Sequence, residues 1–212
     1  MKKIAIVGAA GRQGTCLVNE AAARGYEVTG FVRNAHKIAN PKAKTVVKDL
    51  FDITADDLKE FDVVIDAFGA WTEKTLPLHI TSLQHLCDLL SNTKIRLLVV
   101  GGAGSLYIDP AHTVQVMDLD NFPEAFKPVA FYTGEALKML RERNDVVWTY
   151  LSPAADFQAD GARTGNILLG GEEYFVNEKG VSAISYADYA IAMIDEIEKA
   201  DNIQKRFSVI GA

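Results

Sequence analysis

Seven residues near the start of the chain, Gly8-Ala9-Ala10-Gly11-Arg12-Gln13-Gly14, have the types and spacing that hold a phosphate. Glycines let a backbone turn tightly and come within hydrogen-bonding reach of an anion, where side chains would block the approach. The stretch follows a β-rich run at 3–7 and opens a segment carrying Leu17, Val18, Ala21 and Ala22 at helical spacing. A helix beginning there offers unpaired N–H groups and the positive end of its dipole to a diphosphate. Gly8 serves the tight turn, Gly11 the close approach and Gly14 the seat of the helix on the strand, with Ala10, Arg12 and Gln13 in the same loop. The pattern is G-x-x-G-x-x-G, one residue longer than the commonest dinucleotide fingerprint. In this strand–helix context it implies dinucleotide binding; a purely structural strand-to-helix turn is the alternative.

The next strand supplies an independent indicator. An acidic residue about 20 positions on would bind the adenosine ribose hydroxyls and favour NAD. That region reads Phe31-Val32-Arg33-Asn34. A guanidinium matches a phosphate with a bidentate fork, so Arg33 is expected to select the 2′-phosphate and NADP(H) over NAD(H). Arg12 adds a second phosphate contact or stacks on the adenine. A solvated surface charge is the bland alternative for Arg33.

Two periods alternate along the chain and set these residues in place. Strands are expected at 3–7, 27–32, 44–47, 62–65, 96–100 and 146–151. Helices are expected at 14–24, along 76–90, and at 124–143 with an early break at Pro128. Alternation of this kind implies parallel pairing with helices on both faces: an α/β, Rossmann-like doubly wound sheet. After residue 152 the periodicity weakens. Short strands are expected at 173–176 and 181–184. Ser185-Tyr186-Ala187-Asp188 reads as a capping box for a helix to residue 197, and 207–210 is a last strand. The whole chain is taken as one nucleotide-binding domain in which 153–184 forms a small lobe on the substrate side. The long, proline-punctuated stretch 107–127 is expected to be part of a substrate lid.

Composition narrows the class. The 212 residues are 49% hydrophobic and 24% charged, which excludes collagen-like, disordered and membrane-spanning chains. With 22 basic against 28 acidic residues, the net charge of −6 argues against nucleic acid as a partner. The apolar run at 4–10 ends at Gly11-Arg12, too soon for a signal peptide, and no stretch reaches a bilayer span. A cytoplasmic protein without a membrane partner is expected. Cys16 and Cys87 are far apart and read as buried thiols. Of His36, His79, His85 and His112, the pair six apart falls on different helix faces, so no metal site is expected.

The segments GAAGRQG, FVRN, DVVIDAFG, RLLVVGGAGSL and WTYLSPA, with Arg163-Thr164-Gly165 and Ser185-x-x-Asp188 in the tail, together resemble the atypical short-chain dehydrogenase/reductase superfamily. Within it they are similar to the NAD(P)H-binding group named for NADH-flavin reductases; biliverdin reductase B and NmrA-like proteins are more distant relatives. The resemblance implies an adenine contact at Asp49-Leu50, passage of the cofactor ribose along Ala67-Phe68-Gly69, and a nicotinamide end shaped by Gly102 and by Ser152-Pro153-Ala154. It places Ser105 near the superfamily's catalytic serine and Tyr132 near the helix that carries its catalytic tyrosine. A departure accompanies Tyr132: four residues on stands Ala136, where ordinary members of the superfamily have the lysine that lowers the tyrosine pKa. A hydride acceptor needing no positioned proton, such as a free flavin, suits that change. Phe68, Trp71, Tyr107 and Phe157 are candidate walls for a planar acceptor. Two rival readings are a non-catalytic NADP(H) sensor of the NmrA-like kind and a reductase or isomerase of another small metabolite.

Overall fold

The computed structural model describes residues 1–34, 38 and 40–212. Strands β1 (Lys3–Val7), β2 (Glu27–Val32), β3 (Lys44–Val47), β4 (Val63–Asp66), β5 (Arg96–Val100) and β6 (Val147–Ser152) are interleaved with helices α1 (Arg12–Ala23), α2 (Ala55–Leu58), α3 (Leu78–Leu90) and α4 (Lys127–Arg141). The tail adds β7 (Asp156–Gln158), β8 (Ile167–Gly170), β9 (Ala183–Ser185), α5 (Tyr186–Lys199) and β10 (Lys205–Gly211). Eight strands form one sheet in the order β3-β2-β1-β4-β5-β6-β10-β8. All its pairings are parallel except that of β8 with β10. The sequence order reverses between β1 and β4, which is the switch point where open α/β sheets bind ligands beyond the carboxyl ends of their strands.

The strands read as nearly continuous apolar runs because both faces are covered. In β1, Ile4 and Ile6 pack on one side with Leu17, Val18 and Ala21 of α1 and Tyr189, Met193 and Ile194 of α5. Ala5 and Val7 pack on the other, with Leu83, Leu86 and Leu90 of α3 and Leu137 and Leu140 of α4. Among the described residues, no helix is long and apolar enough to cross a membrane.

The tail departs from the expected arrangement in three ways. Residues 167–170 form a strand that their short pattern did not announce, and β10 carries that strand onto the main sheet. The small lobe therefore keeps only the two-stranded parallel sheet of β7 and β9. The expected strand at 173–176 is reduced to an isolated bridge between Tyr107 and Glu173. Further back, Pro128 starts α4 and does not break it: the residues before it form a separate 3-10 turn, Glu124–Phe126. In a first turn the missing proline N–H has no helical partner to lose.

Candidate functional site

Parallel pairing brings the predicted binding residues out at one edge. The end of β1 leads into Gly8–Gly14, β2 into Arg33, β3 toward Asp49 and Leu50, β4 into Ala67–Gly69, β5 into Gly102 and Ser105, and β6 into Pro153 and Ala154 through its last residue, Ser152. All lie at carboxyl ends flanking the switch point.

The glycines are required by contact. Gly8 has φ +77°, and a Cβ on it would stand 2.6 Å from the Ala67 carbonyl oxygen. A Cβ on Gly14 would stand 2.2 Å from the Gly8 oxygen. The Gly11 N–H donates to the Gly8 carbonyl at 2.9 Å and closes the turn. Gly11 is then the N-cap of α1 and supplies no capping side chain, and no acidic residue lies in the first turn. By contrast, Ser185 caps α5 by accepting from the Asp188 N–H. The start of α1 thus has bare backbone, a positive dipole end and the cationic Arg12, a setting that fits an anionic diphosphate.

Behind this loop Gln13 is buried; its amide donates to the Tyr186 carbonyl at 3.2 Å while Oε1 has no partner among the described residues. The Arg12 guanidinium donates to Asp160 at 2.7 Å, and that carboxylate raises its pKa further. Arg33 is exposed, with no ion-pair partner among the described residues. The Asp49 carboxylate accepts from the Phe51 N–H at 3.1 Å, and Leu50 is buried beside it. His36 lies outside the described residues.

Around the other half of the edge, Phe68 packs edge-on against His79, whose Nε2 lies 3.0 Å from the Ala70 carbonyl. Burial pulls the His79 pKa down, partly offset by its backbone contact at Ala70. Trp71 is largely exposed next to Gly69. The Gly102 N–H donates to the Tyr150 hydroxyl at 3.0 Å, and Gly102 faces Thr133 of α4 so closely that a Cβ would lie 2.9 Å from its hydroxyl oxygen. Ser152 is fully buried, with a hydroxyl that lacks a partner among the described residues. Phe157 packs against Tyr186 and Tyr189, and Tyr107 stacks on His112.

The two candidate catalytic residues differ in placement. Ser105 is buried, and both its hydroxyl (3.0 Å) and its carbonyl (2.8 Å) accept from Arg206. Tyr132 is half-buried near the start of α4, with Phe131 edge-on to it and no hydrogen bond from the described residues. The position four residues on, Ala136, is buried, and the Lys138 ammonium turns outward to Glu135 at 3.9 Å. No lysine therefore stands at the dyad position of α4.

A family model described as NAD(P)H-binding matches residues 8–197, from the first glycine of the loop to the end of the core-facing part of α5. The chain belongs to this NAD(P)H-binding family. It is 46% identical over 210 residues to the uncharacterized protein YwnB of Bacillus subtilis, covering 99% of this chain and 98% of that one. A crystal structure from Streptococcus pneumoniae, described as a "putative NADH-flavin reductase", superposes with a TM-score of 0.96 at 48% identity over the full length of both chains. A Bacteroides thetaiotaomicron structure described as a "putative epimerase" is 38% identical, with a TM-score of 0.85 over 99% of this chain and 97% of that one. As a family member the chain carries an NAD(P)H-binding domain, set on a Rossmann-like fold that it shares with these neighbours.

Sequence reasoning missed two buried charged residues at this edge. Asp66, the last residue of β4, is 5% exposed and accepts from the Phe68 N–H at 3.0 Å. Burial pushes its carboxyl up to about 6 against that hydrogen bond. Arg206 of β10 is buried, pairs with Glu172 and lies over the Tyr107 ring. Burial lowers its pKa, opposed first by the Glu172 charge. Asp66 closes the apolar run Val63-Val64-Ile65, and its position was the available signal. Arg206 carried none, since its partners are remote in sequence. The Ser185–Asp188 cap is present in the Ser185 hydroxyl that accepts from the Asp188 N–H, while the Asp188 carboxylate accepts from Thr164 N–H and hydroxyl and from Gly165 N–H. Burial raises the Asp188 pKa, but these hydrogen bonds outweigh it and hold the group below the ordinary range.

Proposed function

We propose that the chain is an NADPH-dependent reductase that passes hydride to a small planar acceptor, a free flavin above all. The observation that carries this reading is the pair formed by the uncapped start of α1, built on Gly8, Gly11 and Gly14, and the exposed Arg33 just after β2, which has no ion-pair partner among the described residues. A guanidinium where NAD-selective sheets place a carboxylate favours the 2′-phosphate. Asp49 and Leu50 lie toward the adenine, and Ala67, Phe68 and Gly69 beside the ribose. When bound, the reduced nicotinamide supplies a hydride. Gly102 and Ser152–Ala154 shape that end of the sheet edge, while Phe68 and Trp71 offer apolar surface that excludes water from a flat ring. Tyr132, lacking a dyad lysine, serves as a neutral hydrogen-bond donor to the acceptor, and Ser105 holds the post-β5 loop or contacts the acceptor through it. The proton that completes flavin reduction comes from water, so no side chain needs a lowered pKa for the transfer. The flavin comes from the description of the Streptococcus relative; the preference for NADPH comes from Arg33. A cytoplasmic location accords with this coenzyme.

Stopped-flow mixing of the protein with NADPH and FMN tests the proposal. The band of reduced nicotinamide should decay faster than in protein-free solution, and faster with NADPH than with NADH. No acceleration would reject the chemistry. The missing dyad lysine also suits a coenzyme sensor without turnover, which predicts tight NADP(H) binding and no decay.

A further inference from the structure

Helix α1 has neither a capping side chain nor an acid in its first turn, yet a carboxylate is delivered to that end from far along the chain. Asp160 accepts from the Arg12 guanidinium across 148 residues of sequence. The backbone that carries this carboxylate is held in position by its surroundings. A turn closed by Gly161 N–H to the Gln158 carbonyl carries it, and Gln158 pairs in register with Ser185 of β9. Gly161 packs so tightly that a Cβ would lie 2.8 Å from that of Ser185. Just beyond, Thr164 and Gly165 are fastened to the buried Asp188, and Arg163 pairs with Glu20 further along α1 at 3.1 Å. The backbone is therefore anchored on both sides of Asp160, while the ion pair itself is open to water: the two side chains are 65% and 94% exposed.

We infer that Asp160 is the resident counter-ion of the coenzyme's phosphate site, occupying Arg12 until a phosphate displaces it and thereby tuning coenzyme affinity. The inference rests on the coenzyme reading above and adds an affinity-tuning residue to it. Asp160 takes one nitrogen of the Arg12 guanidinium and compensates part of its charge, and a carboxylate left beside a phosphate repels it. Each coenzyme phosphate that engages Arg12 must therefore compete with the Asp160 pair. Exchange is easy because an exposed pair is weak. A similar pair buried from water would instead block the site.

The test is calorimetric titration of NADPH and of NADH into the wild-type protein and the variants Asp160→Asn, Asp160→Glu and Asp201→Asn, at one fixed low salt concentration. Asp201 is exposed at the opposite end of the sheet and controls for net charge. Asp160→Asn should bind coenzyme roughly two- to fivefold more tightly, the range an exposed ion pair is worth. Asp160→Glu and Asp201→Asn should match wild type. Tightening for NADPH alone would place Arg12 on the 2′-phosphate, and equal tightening for both coenzymes would place it on the diphosphate; either supports the inference. Unchanged or weaker binding by Asp160→Asn, or equal tightening by Asp201→Asn, overturns it. If the wild-type protein takes up neither coenzyme, the underlying reading fails and the inference goes with it. Since Asp160 is exposed, its variants should melt with wild type, which separates a binding change from a folding defect.

Discussion

Replacing Asp66 with asparagine should make the protein more stable at neutral pH. Asp66 ends β4 between Val7 and Val99 in the sheet register, enclosed on the face that packs against α3 and α4. Its one hydrogen bond, from the Phe68 N–H, does not compensate for burial, and the carboxyl is pushed from 3.8 to about 6. Native protein therefore binds this proton more tightly than unfolded chain does. Between about pH 4 and 6 the native state carries more protons, so stability falls as pH rises through that window and stays low above it. At ~1.4 kcal/mol per pKa unit the penalty at pH 7 is about 3 kcal/mol. Asparagine keeps the oxygen that accepts from Phe68 and removes the charge. At pH 7 the variant should gain up to this amount, roughly 6–12 °C in melting temperature for a chain of this size, and the gain should vanish near pH 4. Urea denaturation of both proteins at pH 4, 5, 6 and 7 measures the difference directly. The decisive quantity is its slope with pH, because any local repacking cost of the amide is the same at every pH. A difference that stays constant from pH 4 to 7 would refute the assignment of a buried, ionised Asp66.

Other expected outcomes follow from the same coordinates. Gly14→Ala drives a Cβ into the Gly8 carbonyl, backbone against backbone, so it should cost at least about 2 kcal/mol in urea denaturation and abolish coenzyme uptake in calorimetry. Arg33→Asp should weaken NADPH at least about tenfold, the scale of a lost charge-assisted hydrogen bond, and NADH far less; equal losses would deny Arg33 its role. Hydrogen exchange across 107–127 should slow when coenzyme and FMN are added together, and an unchanged pattern would remove that stretch from the substrate lid.

The parts of the candidate site legible in sequence are those that the backbone geometry itself demands. Glycine at 8, 11 and 14 is a local demand, visible as residue type and spacing, and the alternation of strand and helix was enough to order β1 to β6. Phe31-Val32-Arg33-Asn34 was legible for a similar reason, because the end of β2 is fixed once β1 and α1 are placed. What escaped were contacts between remote singletons. Arg206 meets Ser105 across 101 residues and Arg12 meets Asp160 across 148, and no period or spacing announces either pair. Strand β8 escaped because a four-residue segment at a sheet edge, with Leu168 and Leu169 both partly exposed, lacks the alternation of a half-buried strand. Asp188 was legible as part of the Ser185 cap, but the donors to its carboxylate, Thr164 and Gly165, were not, because the capping pattern is local and they are remote.

The position of β10 between β6 and β8 also orders events during synthesis. The ribosome releases β8 well before β10, yet β10 is the neighbour to which β8 hydrogen-bonds in the main sheet. For that interval β8 waits without the strand it pairs with, the state in which strands recruit foreign chains. Mutations that delay the docking of β10 should therefore first appear as poor recovery of soluble protein, even where the finished fold is scarcely weakened.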